Sequence, residues 1–265
     1  MSEPEDISTF SKSPIIEHLI ELKKRLTVCV ISIIVATGVS YFFADHIYNF
    51  LVHPLAQSFS DPSQRRLIYT SLTEAFVTYL KLSLFAGFFL SFPIIASQIY
   101  IFLAPGLYKN EKQVLLPYLV ISPLLFLTGA ALAYYFVFPV AWQFFIGFET
   151  PAVDGGLSIQ LEAKVSDYLS LVMQLLIAFG LAFQLPVILT LLTRAGMVQS
   201  ATLAKGRKYA VVILLVIAAI LTPPDVISQI GLFIPLYLLY ECSIFLCARI
   251  ERRKEAPTNE LTPSA

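Results

Sequence analysis

Six apolar stretches, at about 26–44, 75–103, 114–138, 167–192, 209–222 and 226–248, constrain this chain more than any single motif does. About 20 consecutive apolar residues span the hydrocarbon core of a bilayer as a helix. The stretches therefore predict an all-α polytopic membrane protein with six transmembrane helices. Composition agrees, because 57 % hydrophobic and only 14 % charged residues leave too little polar surface for an ordinary soluble domain. The formal net charge is zero, so no overall field selects nucleic acid as a partner.

The charges are nevertheless unevenly placed. Six spans put both termini on one side. That side carries Lys12, Lys23, Lys24 and Arg25, then Lys109 and Lys112, then Arg194, Lys205, Arg207 and Lys208, and finally Arg249, Arg252, Arg253 and Lys254. The other side has Arg65, Arg66 and Lys164, with Lys81 inside a span. By the positive-inside rule both termini are predicted to be cytoplasmic. The first apolar run has no small-residue cleavage site behind it, so it reads as a retained span and not a signal peptide. Residues 1–265 read as a single membrane domain, with the polar segments 1–12 and 252–265 as flexible tails. Cys29, Cys242 and Cys247 match neither a zinc site nor a redox pair and are expected to be buried thiols. No metal or other cofactor is expected.

Local signals mark where the helices begin and break. Ser13-Pro14 reads as an N-cap followed by a helix-opening proline, so the first helix starts before the membrane. Ser71 and Glu74 match a capping box at the start of the second span. Lys81 shares a face with Glu74 and is costly in lipid unless it snorkels or meets a carboxylate. Pro93 is expected to interrupt the second span and Pro105-Gly106 to end it. The segments 45–73 and 141–166, with Pro54 in the first, are long and expected to form a cap on the side away from the termini. The fifth span is about 14 residues, roughly 21 Å of helix against a hydrocarbon core of ~30 Å. The fifth and sixth helices are read as a short pair, joined by a turn at Thr222-Pro223-Pro224-Asp225 and kinked at Pro235.

Five polar residues stand out as functional candidates. Glu21 and Glu111 both lie at the boundary next to the termini and both stand among cations. A carboxylate there suits a guanidinium, which pairs bidentately where lysine cannot. For Glu21 an ordinary pair with Arg25, four residues on, is the competing reading. Glu241 is an ionisable group within the sixth span, and either a functional or a paired structural role fits it. Gln184 needs a partner in lipid, as does Gln229, either in another protein or within the chain. His18, His46 and His53 are scattered, and no nucleophile, phosphate loop or metal set is visible, so the chain does not read as an enzyme.

Several segments in order resemble TatC, the multispanning core subunit of the twin-arginine protein translocase. They include His18-Leu19-Ile20-Glu21-Leu22-Lys23-Lys24-Arg25, His53-Pro54-Leu55, Thr73-Glu74-Ala75-Phe76 with Lys81, Ser91-Phe92-Pro93, residues 102–111, Tyr168-Leu169-Ser170, residues 179–186 and Thr222-Pro223-Pro224-Asp225. The resemblance implies a receptor in the bacterial cytoplasmic (inner) membrane that binds twin-arginine signal peptides of folded cargo at its cytoplasmic face. It implies single-span TatA- and TatB-type partners in an oligomeric complex, with export driven by the proton-motive force. It assigns signal-peptide contact to Glu21, Glu111, Phe102, Leu107 and Tyr108, and partner docking to Thr222 and Gln229. Glu74, Lys81, Pro54, Pro93, Gln184, Asp225 and Glu241 remain as structural or polar membrane positions. Many relatives carry glutamate at Gln184 and arginine at Lys23. The rival reading is a secondary transporter with Lys81 and Glu241 at a midplane site.

Overall fold

The computed structural model describes residues 14–59, 66–103, 112–150, 157–221 and 226–255. It opens with α1 (Pro14–Phe42), an apolar helix that starts at the expected proline. At Phe43 the chain bends into α2 (Ala44–Ser58), so much of the first expected loop is helical. Pro54 lies inside α2 and brings no N–H, which leaves the carbonyl of Phe50, four residues earlier, without its ladder donor. Tyr134 supplies the missing proton: its hydroxyl donates to Phe50 O at 2.7 Å, and its ring stacks on Phe50 with centroids 4.4 Å apart. Tyr168 donates to the neighbouring Leu51 O at 2.8 Å. Two tyrosines thus clamp the proline-weakened helix onto the core.

The second span is α3 (Glu74–Leu103), which runs through Pro93 without a break. The expected interruption is therefore corrected. One proline deletes a single ladder bond, and Phe92 and Ala96 on either side are held in an aromatic cluster where Phe92 stacks on Phe126 at 3.8 Å. Half of the capping box forms: Glu74 Oε2 accepts from the backbone N–H groups of Thr70 at 2.8 Å and Ser71 at 3.3 Å, while the Glu74 N–H donates to the Ser71 carbonyl and the Ser71 hydroxyl pairs with Thr73.

The third span is longer than expected. It joins α4 (Lys112–Leu132), one π-helical turn (Ala133–Val137) and α5 (Phe138–Ile146). The Phe138 N–H donates to Ala133 O, five residues back, next to Pro139, which has no N–H to offer. The fourth span is split into α6 (Val165–Ala182) and α7 (Leu185–Arg194), parting at Phe183-Gln184 just before Pro186. Close packing of α4 on α6 depends on glycine: a Cβ at Gly129 would fall 2.6 Å from Phe179 O, and one at Gly180 would fall 2.5 Å from the Phe126 ring.

After the short α8 (Ser200–Lys205), α9 (Arg207–Leu221) has only 15 residues. It covers roughly 22 Å at ~1.5 Å per residue, short of the ~30 Å core, as the sequence predicts. The sixth helix is not short: α10 (Val226–Glu255) has 30 residues and continues through Pro235 and the charged run beyond Arg249. Helix-favouring Glu, Arg and Lys carry it past the apolar part, so residues 252–255, expected in the tail, are helical. Five helical segments are long and apolar enough to cross a membrane: Ile16–Phe42, Glu74–Phe102, Pro117–Ile146, Val165–Arg194 and Gln229–Arg252. Among the described residues there are no strands, only isolated bridges joining Ile68 to Lys164 and Thr150 to Ile159. With the Arg66–Glu162 ion pair and the 2.8 Å bond from Ser166 Oγ to Glu74 Oε1, these tie the two long connections into the expected cap.

Candidate functional site

Away from the cap, the end of the bundle that carries both described chain ends is set by the antiparallel pairing of α1 with α3. Near the middle, a Cβ on Gly87 would lie 2.7 Å from the Thr37 backbone nitrogen, so the glycine lets the two helices approach closely. Toward the end, Arg25 Nη1 donates to Gln98 Oε1 at 3.2 Å. Continuing that register one turn brings Glu21 level with Phe102, and His18 stacks on the Phe102 ring with centroids 4.3 Å apart. Two of the residues assigned to signal-peptide contact are thereby brought together by helix register alone.

Glu21 is already engaged. Arg25 donates to its Oε1 through Nε at 3.1 Å and Nη2 at 2.7 Å, so the pairing within one helix is present. Among the described residues nothing bonds Oε2, and the carboxylate side chain remains 33 % exposed. Glu17, Glu21, Lys24, Arg25 and Gln98 line a groove of about 360 Å³ in which this oxygen is reachable. An intramolecular pair of this kind contributes only ~0.3–0.5 kcal/mol. An incoming guanidinium can therefore share or replace it at small cost. Gln98 was not singled out from the sequence; its signal was a lone amide in the last turns of an apolar helix.

Leu107, Tyr108 and Glu111 lie outside the described residues, as do Thr222 and Asp225 of the partner-docking turn. Glu111 directly precedes Lys112, where α4 begins, and the rings of Tyr100 on α3 and Tyr118 on α4 are 6.4 Å apart. Gln229 donates to Leu215 O at 3.3 Å, binding α10 to α9 within the chain.

The polar residues inside the spans have partners of their own. Gln184 is 6 % exposed and Ser122 is 1 % exposed. Ser122 Oγ donates to Gln184 Oε1 at 2.6 Å, and Gln184 Nε2 returns a bond to Ser122 O at 3.0 Å. The uncharged glutamine thus ties α4 to the α6–α7 break, and the reading of it as glue within the chain holds. Glu241 is bound bidentately by Arg207, with Nε to Oε1 at 2.7 Å and Nη2 to Oε2 at 3.0 Å, and Tyr237 donates at 3.0 Å. Its partner Arg207 is the first residue of α9. Lys81 is exposed on α3, and Glu74 faces Ser166 across the cap, so the two form no pair. The midplane site of a transporter built on Lys81 and Glu241 is not assembled. Of the cysteines only Cys247 is buried; Cys29 is half-buried and Cys242 is exposed, which corrects the expectation of three buried thiols. Lipid-facing positions accept a thiol as readily as a small apolar side chain.

Comparison with known proteins bears on the whole chain. Residues 17–235 match the family model for TatC, the Sec-independent protein translocase protein. The Sec-independent protein translocase protein TatC of Rickettsia prowazekii is 49 % identical over 235 residues, covering 89 % of this chain and 92 % of the relative. That of Magnetococcus marinus is 47 % identical over 243 residues, covering 92 % and 87 %. The crystal structure of the twin arginine translocase receptor TatC superposes with a TM-score of 0.75 at 38 % identity, covering 87 % of this chain and 98 % of that one.

Proposed function

The chain belongs to the TatC family of Sec-independent protein translocase proteins, a family of membrane components and not of enzymes, and from this premise we propose that it is a signal-peptide receptor. It binds the twin-arginine signal peptides of folded cargo at the end where α1 and α3 meet. One observation carries the reading: Glu21 holds a guanidinium through one carboxylate oxygen and offers the other beside the His18–Phe102 stack. Arginine pairs with such a carboxylate in a fixed fork, and lysine cannot. Glu111, Leu107 and Tyr108 complete the proposed contact surface.

In this reading the protein is one membrane domain with six spans in a bacterial cytoplasmic (inner) membrane, both termini cytoplasmic, in keeping with the arginine and lysine bias. The short α9 makes the fifth span by local thinning of the bilayer. TatA- and TatB-type single-span partners dock near Thr222 and Gln229 in an oligomeric complex, and the proton-motive force drives export.

Crosslinking from probes placed beside Glu111 and Glu21 tests the proposal, using a signal peptide carrying Arg-Arg and the same peptide carrying Lys-Lys. Crosslinks that need the arginines are expected. Glu21→Ala and Glu111→Ala should each weaken binding about tenfold while leaving insertion unchanged, since charge-assisted bonds contribute ~1.5–3 kcal/mol. Equal crosslinking by both peptides, or normal binding by both variants, would remove the site.

A further inference from the structure

The break between α6 and α7 opens a second cleft at the same end of the bundle, on a different side from Glu21. Up to Gln184, α4 packs closely on α6; beyond it, α7 leaves α4 and packs on α10. The divergence leaves a cavity of about 490 Å³ among α4, α7 and α10. Its wall is apolar, with Ile121, Leu125 and Leu246 along it, and its mouth carries Arg194 and Arg249 with the Tyr118 ring. Among the described residues no carboxylate lines it.

The chemistry of the two ends differs in a way that narrows the occupant. Arg194 ends α7, and its guanidinium lies over Tyr118 with Cζ 5.4 Å from the ring centroid. Arg249 is exposed and forms no ion pair among the described residues. Two guanidiniums at the boundary end of an apolar groove match a phosphate diester attached to a hydrocarbon chain. The apolar wall from Tyr118 to Leu125 runs seven residues along α4, roughly 10 Å at ~1.5 Å per residue, which accommodates the upper part of an acyl chain. Basic pockets between spanning helices on one side of a membrane are suited to anionic head groups. We propose that this cleft is a binding site for one anionic phospholipid, with its phosphate between Arg194 and Arg249 and an acyl chain against Ile121 and Leu246.

Native mass spectrometry of the intact protein in detergent tests this, with phosphatidylglycerol, phosphatidylcholine and inorganic phosphate added separately. One phosphatidylglycerol should be retained, about fivefold better for each arginine and so about 25-fold better than phosphatidylcholine. R249Q should cost about fivefold in retention of phosphatidylglycerol and leave phosphatidylcholine unchanged. R194Q should do the same, and R249Q, at an exposed side chain, keeps the test open if R194Q does not fold. Ile121→Trp, which fills the apolar wall, should displace the lipid with both arginines in place. Equal retention of the two lipids, unchanged retention in R249Q, or binding of inorganic phosphate as strong as that of phosphatidylglycerol would overturn the site. So would a signal peptide that is released by R249Q while phosphatidylglycerol retention stays as in the parent.

Discussion

Helix α1 and the α6–α7 pair are both long, apolar and able to span a bilayer, yet they sit in the molecule in opposite ways. Only 6 % of the most apolar stretch of α1 is buried within the chain, against 61 % for the Val165–Arg194 span. The first leans on α3 along one seam; the second is enclosed by α4, α10 and the cap. Hydropathy reports the solvent a helix tolerates and says little about how many neighbours it has. The helix with few neighbours carries Glu21, and the enclosed one carries the internal Gln184 clasp. In this fold the proposed receptor site sits where the packing is thinnest.

Steric loading of the two seams separates them. Gly129→Val should have the largest effect, about 3 kcal/mol, because its new atoms meet both the Phe179 carbonyl and the buried Phe183 ring in the most enclosed part of the bundle. The three native thiols read out the damage in detergent by maleimide labelling: Cys242 reacts throughout, and buried Cys247 should become reactive in this variant. Gly87→Val should cost about 2 kcal/mol and loosen α1 alone. There, labelling of Cys29 should rise while Cys247 stays protected; joint exposure of both would mean that the two regions are one cooperative unit.

Polar deletions probe the same contrast more gently. Gln184→Leu leaves Ser122 without its partner and should lower stability by about 1.5 kcal/mol, seen as an earlier thermal transition with Glu21-dependent peptide binding intact. Tyr134→Phe removes the proton given to the Phe50 carbonyl and should cost about 1 kcal/mol, detected as faster proteolysis near α2. A loss of peptide binding in either variant would show that the core and the α1–α3 end are energetically coupled.

What the sequence made legible follows from what is local. Five spans, the short fifth helix and the bond from Glu74 back to the Ser71 N–H are written in runs of neighbouring residues, and all of them appear. The Glu21–Arg25 pair is also local, four residues apart on one helix. Arg25 to Gln98, Ser122 to Gln184 and Arg207 to Glu241 are not, because each joins residues whose approach is decided by helix register and crossing. Proline gave the clearest mismatch between expectation and outcome. Pro93 was read as a break because proline deletes a donor, yet whether a helix breaks depends on what packs around the orphaned carbonyl. Pro54 shows the remedy in full, since a tyrosine 80 positions further on restores the lost bond.

The single wide turn at Ala133–Val137 makes the third long helix sensitive to counting. Each residue added to or removed from a helix rotates everything beyond it by about 100°. The extra residue accommodated there sets the angular phase at which Phe138 and Trp142 enter the core. Deleting one residue in this turn would let a regular α-helix run through with both rings kept in phase, whereas deleting one elsewhere in the helix before Phe138 would swing both rings toward lipid. A length change that a surface loop would absorb becomes, in this helix, a change of direction.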